Sequence, residues 1–313
     1  MISVYLQGGL GNQLFQIFTC ISYALDKKTS YRFTLYNQNS KNPRSAPTEL
    51  YPNGHPRPTY WNSFLSELEK NTIENEQLYQ LINNVHSELT FDYYKLPNID
   101  NFMLVGYWQS YKYFEKNFQQ ILQIIKIDRI RDVINQKYKN ILTDNTISLQ
   151  FRLGDYKKRT STLYGYHPVI AYEYPEFYID SINHITNTTN VDNYTILYFC
   201  EEQDHEFVKK EINKLEKLFV NCKFIRKAST DWEEMTLMSL CNHNVINNSS
   251  FGWWAAYLNY NKNKIVCYPE AWFGKQFYID KYKTTGKKQT LSTLCPDDWK
   301  KIECKDYKDV IKM

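Results

Sequence analysis

Three short runs in this chain combine residue types suited to holding an anion. The first is Gly8-Gly9-Leu10-Gly11-Asn12-Gln13, between a strand-like run and a helix-like one. Glycines at such a junction let the backbone approach a ligand closely, and a helix N-terminus supplies free N–H groups and the positive end of a dipole. A dinucleotide fingerprint would need a third glycine near position 14 and an acidic residue about 20 further on. Position 14 is Leu, and the second strand offers Tyr31, Arg32 and Phe33, so a nicotinamide cofactor is not expected. A tight turn without a ligand is the alternative, and a ligand is the preferred account.

The second run is Gln150-Phe151-Arg152-Leu153-Gly154-Asp155-Tyr156, at the C-terminal end of a predicted strand. Open α/β sheets bind ligands at that end. Arg152 alternates with the apolar strand residues and would project into the crevice, where its rigid donor fork matches phosphate oxygens two at a time. An Arg152–Asp155 ion pair closing a loop explains the same residues equally well. The third run is Asn247-Asn248-Ser249-Ser250-Phe251-Gly252-Trp253-Trp254, where small hydroxyl residues open a helix. Such residues cap the helix and also present N–H and O–H donors to an anion. One element earlier, Glu233 or Glu234 could accept the N1–H and N2–H of a guanine, although a solvated helix face is the commoner role for such residues.

Glu201-Glu202-Gln203-Asp204 follows another strand, and Glu202 with Asp204 loosely resembles an acidic pair holding a divalent cation on a diphosphate. Acidic residues are also favoured at a helix start by the dipole alone, and that explanation is preferred; no metal site is assigned. Asn247-Asn248-Ser249 and Asn248-Ser249-Ser250 both satisfy the N-glycosylation pattern. Modification there would block the suspected anion site, which favours a chain that does not enter a secretory lumen.

These runs need elements to position them. Residues 2–6 read as a strand and 12–26 as a helix whose Leu14, Phe15, Phe18, Ile21 and Leu25 recur at helical spacing. A strand follows near 31–36, then a proline-rich irregular stretch over 37–62 with a possible acceptor-side role. Strand 102–107 leads to a helix over 114–125 and a polar connector over 126–145. Strands over 147–152, 195–200, 223–226, 244–247 and 264–268 then alternate with helices over 175–186, 204–217, 230–241 and 250–260. That alternation predicts βαβ units on parallel sheets. The expected class is α/β, with two Rossmann-like domains, 1–140 and 141–313, facing a central cleft.

Bulk properties agree. The 313 residues are more than one ordinary core accommodates. A net charge of +4, from 38 basic and 34 acidic residues, suits a small anionic ligand and not nucleic acid. The 27 Tyr and 17 Phe suit sugar handling, but the accompanying wealth of Lys, Asn and Ile fits a biased genome better. No run approaches the 18 apolar residues of a membrane span, and the chain opens on strand residues Ile2–Leu6 without a charged leader. A cytoplasmic protein without a membrane span is expected. Seven cysteines without a Cys-x-x-Cys pair read as buried small residues in a reducing compartment.

Taken in order, these residues resemble glycosyltransferase family 11, the GDP-fucose-dependent α-1,2-fucosyltransferases, especially its bacterial and viral members. The similar blocks are Gly8–Gln16, Leu104–Phe114, Arg152–Tyr156, Tyr166–Tyr178, Glu234–Leu258, Trp272–Gly274 and Cys295–Trp299. The resemblance implies a GT-B fold, inverting transfer without a metal or cofactor, GDP-fucose as the donor substrate and a glycan as the acceptor. It implies that Arg152 holds the β-phosphate and that Ser249, Ser250 and Phe251 line the diphosphate and nucleoside site. Glu234 stands where relatives usually have Asp, as the guanine-reading carboxylate, while Gly9, Gly11 and Asn12 close over the donor from the N-terminal domain. Asp155 and His167, each just beyond a strand end, are the candidate general bases, and Asp155 could instead orient Arg152.

This chain departs from the family's usual His-x-Arg-Arg-Gly-Asp, having Gln150 and Leu153 in place of the His and the second Arg. It also has Cys200-Glu201-Glu202 where Ser-Asp-Asp is usual. These differences keep open a related deoxysugar donor, a protein acceptor, or a non-catalytic sugar-nucleotide- or glycan-binding protein on the same scaffold.

Overall fold

A computed structural model describes residues 1–35, 58–142, 144–157 and 165–311. The proline-rich stretch assigned above to the acceptor side therefore lies outside the described residues as far as residue 57. The chain divides into two compact units, Met1–Ile130 with Gln289–Pro296 and Arg131–Lys288 with Asp297–Met313. Both are α/β and both are built on parallel strands.

In the first unit the chain runs through β1 (Ile2–Val4), α1 (Leu10–Lys27), β2 (Phe33–Thr34), β3 (Thr72–Ile73), α2 (Asn75–Leu81), β4 (Asn84–Ser87), β5 (Phe102–Val105) and α3 (Phe118–Ile124). The order β1-β5-β4 forms one parallel sheet, and β2 pairs with β3 in a second. Leu14, Phe15, Phe18 and Ile21 of α1 are fully buried, as their spacing requires. Burial extends to every residue from Gln13 to Ala24, so the helix is enclosed on all sides rather than half-exposed. Phe18 packs against Phe114 and Phe118, with ring centroids 5.7 and 6.0 Å away. Residues 289–296 join this unit through side chains that satisfy loop amides. Gln289 Oε1 accepts from the Phe91 N–H at 2.9 Å, and Asp92 Oδ1 accepts from the Ser292 N–H at 3.0 Å.

The polar connector expected over 126–145 contains a helix, α4 (Ile127–Tyr138). Ile127 and Ile134, seven residues apart on one face, are buried, and that stripe outweighs the polar composition.

The second unit continues through β6 (Thr146–Gln150), α5 (Ile170–Glu173), α6 (Glu176–Thr189), β7 (Thr195–Phe199), α7 (His205–Leu218), β8 (Lys223–Lys227), α8 (Asp231–Ser239), β9 (His243–Val245), α9 (Ser250–Leu258), β10 (Val266–Pro269), α10 (Lys275–Thr285), β11 (Lys300–Ile302) and α11 (Tyr307–Val310). Six parallel strands lie in the order β11-β10-β9-β6-β7-β8. All five residues of β6 are buried, as expected for a central parallel strand covered on both faces. The polar side chains this buries are paired: Asn244 Nδ2 donates to Ser148 Oγ at 2.7 Å and to the Met238 carbonyl at 2.8 Å.

The core of this unit joins Ile147, Leu149, Ile196 and Val245 of the sheet to Phe177, Tyr178 and Ile182 of α6. Helix α9 is apolar nearly all round and correspondingly buried. Its last carbonyls would be orphaned inside the protein, and two cations satisfy them. Arg131 Nη2 donates to the Leu258 carbonyl at 2.5 Å, and Lys264 Nζ donates to those of Ala256 and Asn259 at 2.9 and 2.6 Å. Burial pulls Lys264 down to about 8. Among the described residues no helix is long and apolar enough to cross a membrane.

The strand order places the site. From β6 the chain builds outward through β7 and β8, then returns to lay β9 on the other side of β6 and continues to β10 and β11. Chain direction across the sheet thus reverses between β6 and β9. A crevice opens beyond the carboxyl ends of strands at such a switch point. The residues just past those two ends are the Arg152 run and the Asn247–Ser250 run.

Candidate active site

Beyond β6 the backbone continues the ladder for one residue, with the Phe151 N–H donating to the Phe199 carbonyl at 2.8 Å. It then turns through Gly154 at φ +41°. Arg152 emerges there, Nη1 on Glu201 Oε1 and Nη2 on Asp155 Oδ1. Its guanidinium carbon lies 4.9 Å from the centre of the Tyr156 ring. Burial works against the charge of Arg152, but Tyr156, Asp155 and Glu201 outweigh it and hold the group above its ordinary value. The equal choice left by the sequence, phosphate ligand or Arg152–Asp155 loop closure, therefore has its second half realised: the ion pair exists. Leu153 is fully buried in the core, so the position where the family writes a second arginine serves packing here.

Gln150 has a local task as well. Its Oε1 accepts from the Asn247 N–H at 3.2 Å, tying the end of β6 to the exit from β9. A Cβ added to Gly252 would come within 2.8 Å of Gln150 Cδ and 3.2 Å of Ile246 Cβ, so the first turn of α9 approaches Gln150 as closely as a glycine permits.

The Asn247–Ser250 run is held from within. Asn247 Nδ2 donates to the Tyr178 hydroxyl at 2.8 Å, and Asn248 Nδ2 donates to the carbonyls of Pro168 and Trp272 at 3.0 and 3.1 Å. Both asparagines are buried, so neither side-chain amide is presented for glycosylation in the folded protein. Ser249 caps α9, its Oγ accepting from the Phe251 N–H at 3.3 Å. Ser250 and Phe251 are partly exposed at the helix start.

Tyr156 joins the two runs. Its ring lies under Arg152, and its hydroxyl donates to the Asn248 carbonyl at 3.2 Å. His167 stacks on the Tyr156 ring, centroids 4.5 Å apart and planes 11° from parallel, and its centroid lies 5.4 Å from that of Phe273. Arg152, Tyr156, His167 and Phe273 thus form one column beside the start of α9.

Glu233 and Glu234 separate. Glu233 pairs with Lys137 at 2.8 Å. Glu234 Oε1 accepts from the Ser229 N–H at 2.8 Å, and burial raises its carboxyl to about 7; the Ser229 bond and Arg226 oppose that rise, and Asp231 and Glu201 add to it. Glu234 therefore shares the electrostatic field of the Arg152–Glu201 pair. The acidic run after β7 divides in a way neither earlier explanation anticipated. Glu202 pairs with Arg226, while Asp204 is buried, accepts from the Gly154 N–H at 2.7 Å and pairs with Lys157. Asp204 makes no side-chain cap to α7: it pins the arginine loop.

In the first unit, Gly9 is the N-cap of α1 and Gly11 is buried in its first turn. Gly8 takes φ +78°. Asn12 Oδ1 accepts from Gln109 Nε2 at 2.8 Å, and Gln13 Nε2 donates to the Gly8 carbonyl at 3.0 Å. Gln109 follows Trp108, whose φ of +55° is unusual for a bulky residue. Glu88 holds that bend, accepting from the N–H groups of Tyr107 and Trp108 at 3.0 and 2.8 Å. Of the residues singled out in the sequence, Arg152, Asp155, His167, Glu234 and Ser249–Phe251 are thus gathered in the second unit, and Gly9, Gly11 and Asn12 in the first. Sequence reasoning did not assign roles to Tyr156, Gln109 or Asn248. Only the first carried a signal, as the aromatic four residues after the arginine.

A parallel α/β unit with arginine and a serine-capped helix start at its switch point has the groups to hold an anion, and the comparison with known sequences fixes the family. The chain belongs to glycosyl transferase family 11, whose model matches residues 59–288; it is a glycosyltransferase by family. It is 28% identical over 201 residues to an alpha-1,2-colitosyltransferase of Escherichia coli, the match covering 64% of this chain and 62% of that protein. It is 27% identical over 307 residues to the O-antigen biosynthesis glycosyltransferase WbnK of Escherichia coli, covering 86% and 93%. Among solved structures it is similar to the NodZ alpha-1,6-fucosyltransferase soaked with GDP-fucose, at 12% identity and TM-score 0.42 over 82% of this chain and 92% of that one. It is also similar to the Escherichia coli ADP-heptose lps heptosyltransferase II, at 10% identity and TM-score 0.45 over 99% and 94%.

Proposed function

We propose that this chain is an inverting, metal-independent transferase that moves L-fucose from GDP-fucose to a hydroxyl of a glycan, by family resemblance O2 of galactose. The observation that carries this reading is the bridge made by Tyr156. One side chain supports Arg152 and reaches the Asn248 carbonyl beside the start of α9, so a fixed cation and a helix N-terminus belong to one preorganised anion site.

In the reaction, the acceptor oxygen attacks the anomeric carbon of GDP-β-L-fucose from the face opposite GDP. The bond from that carbon to the phosphate oxygen breaks, GDP leaves with the electron pair, and the acceptor proton passes to a base or to solvent. The α-linked product has inverted configuration. Much of the barrier lies in charge building up on the departing diphosphate, and preorganised donors stabilise it most effectively. Arg152 and the helix N-terminus at Ser249 and Ser250 fill that role, which in other transferases falls to a metal. Glu234 accepts the guanine N1–H and N2–H. Asp155, bonded to Arg152, orients the guanidinium, and His167 holds Tyr156 beneath it. Gly9, Gly11 and Asn12 are the donor-binding candidates of the first unit.

A second reading, transfer of a related deoxysugar such as colitose, is favoured by the colitosyltransferase relative and by Gln150 and Leu153 in the arginine motif. Thermal unfolding with EDTA and a panel of GDP, UDP, ADP, dTDP, GDP-fucose and GDP-mannose tests the binding half. Saturation to 100 times Kd adds about 2.7 kcal/mol of stability. Stabilisation by GDP nucleotides alone is expected; stabilisation by UDP or dTDP, or a need for Mn²⁺, overturns the donor or the metal-free site respectively. Donor hydrolysis and transfer assays with GDP-fucose and GDP-colitose then decide the sugar, and measurable turnover eliminates a purely binding role.

A further inference from the structure

We propose that Glu201 is an internal competitor for the diphosphate, occupying the phosphate-binding edge of Arg152 when no nucleotide is bound. The inference rests on the reading of Arg152 as the diphosphate ligand.

Both terminal amino groups of Arg152 carry a carboxylate, Glu201 on Nη1 and Asp155 on Nη2, and the Tyr156 ring centre lies 4.9 Å from the guanidinium carbon. A phosphate gripped by the fork takes two parallel N–H donors on one edge, so it competes with these carboxylates for the guanidinium. The two are not equally fixed. Asp155 lies three residues from Arg152 in the same short turn, with its side chain 22% exposed. Glu201 comes from the end of a different strand and is 39% exposed. Apart from Arg152, its carboxylate takes a hydrogen bond from the exposed Gln203 side chain at 2.8 Å. Its Cδ would lie only 2.9 Å from a Cβ on Gly154, so the carboxylate rests flat on the one residue of the loop that leaves it room. Glu201 is therefore the partner that swings away, and the diphosphate takes its place. Its return to Arg152 after transfer favours release of GDP.

Isothermal titration of GDP and of guanosine into the full chain, the Glu201→Gln and Arg152→Ala variants and the double variant tests this. A partly exposed ion pair contributes about 0.2–1 kcal/mol, which converts to roughly a 1.4- to 5-fold change in Kd. Glu201→Gln is expected to bind GDP tighter by that factor, with guanosine affinity unchanged and no gain in the Arg152→Ala background. Weaker GDP binding by Glu201→Gln would mean that Glu201 holds Arg152 in its productive pose, and unchanged binding would mean no competition; either overturns the proposal. Wild-type GDP affinity in Arg152→Ala would instead overturn the phosphate role of Arg152 itself.

Discussion

His167 lies face to face on Tyr156, with ring centroids 4.5 Å apart and planes 11° from parallel. The same Tyr156 ring centre sits 4.9 Å from the Arg152 guanidinium carbon, so the imidazole and the arginine share one ring as a neighbour. A flat ring is what this position requires. His167→Phe is expected to keep kcat within about tenfold of the native protein with an unshifted pH profile, and His167→Ala to lose more. A general base at this position would make His167→Phe cost about 10²–10⁴ instead, which pH–rate profiles of the two variants will reveal.

Arg152→Ala is expected to lower kcat by about 10²–10³, the usual scale for removing one preorganised donor from a developing anion. Arg152→Lys should recover little of it, because an ammonium lacks the planar fork that engages two phosphate oxygens and stacks on Tyr156. Single-turnover transfer at saturating donor measures the loss. Wild-type turnover in either variant would remove Arg152 from the mechanism.

Burial raises the Glu234 carboxyl to about 7, so the proposed guanine contact predicts a pH-dependent nucleotide affinity. Guanine N1–H and N2–H need an ionised acceptor, so GDP binding should weaken about tenfold between pH 8 and pH 6 as the free carboxyl protonates. Glu234→Gln should bind weakly and flatten that dependence. Stability moves the other way. The folded carboxyl titrates above its ordinary value of 4.5, so its contribution is fully present below 4.5 and is lost as pH rises through about 7. Glu234→Gln should therefore gain in relative stability at pH 8 compared with pH 5, measurable by denaturant unfolding at the two pH values.

Gly252→Ala should destabilise the protein by about 1–3 kcal/mol, the cost of overpacking a tight contact, because the new methyl meets Gln150 and Ile246. Shortening Gln150 to Ala in the same chain should restore part of that loss. A double-mutant cycle by urea unfolding gives the coupling, and additive effects would show that the two residues do not share the space.

The Arg152 motif, the Ser249 cap and the buried face of α1 were legible because each depends on local spacing. Helical and strand periodicities and capping chemistry are written within a few residues. Helix α4 was misread as a connector because three isoleucines among charged residues carry little weight until they meet a core. The acidic run after β7 was readable only as a set of types. Which carboxylate takes Arg152, which takes Arg226 and which pins Gly154 depends on strands far apart in the chain lying side by side.

By itself, then, the sequence determined the alternating parallel α/β elements, the family blocks and the candidate ligands for an anion. Tertiary structure alone decided how they are arranged: the reversal of strand order between β6 and β9 brings residue 152 to residue 248 through Tyr156, sets Glu201 on Arg152 and half-buries Glu234. Contacts between residues about 50 to 100 positions apart have no local signal, because they arise only when the sheet is assembled and the polar groups it buries must find partners.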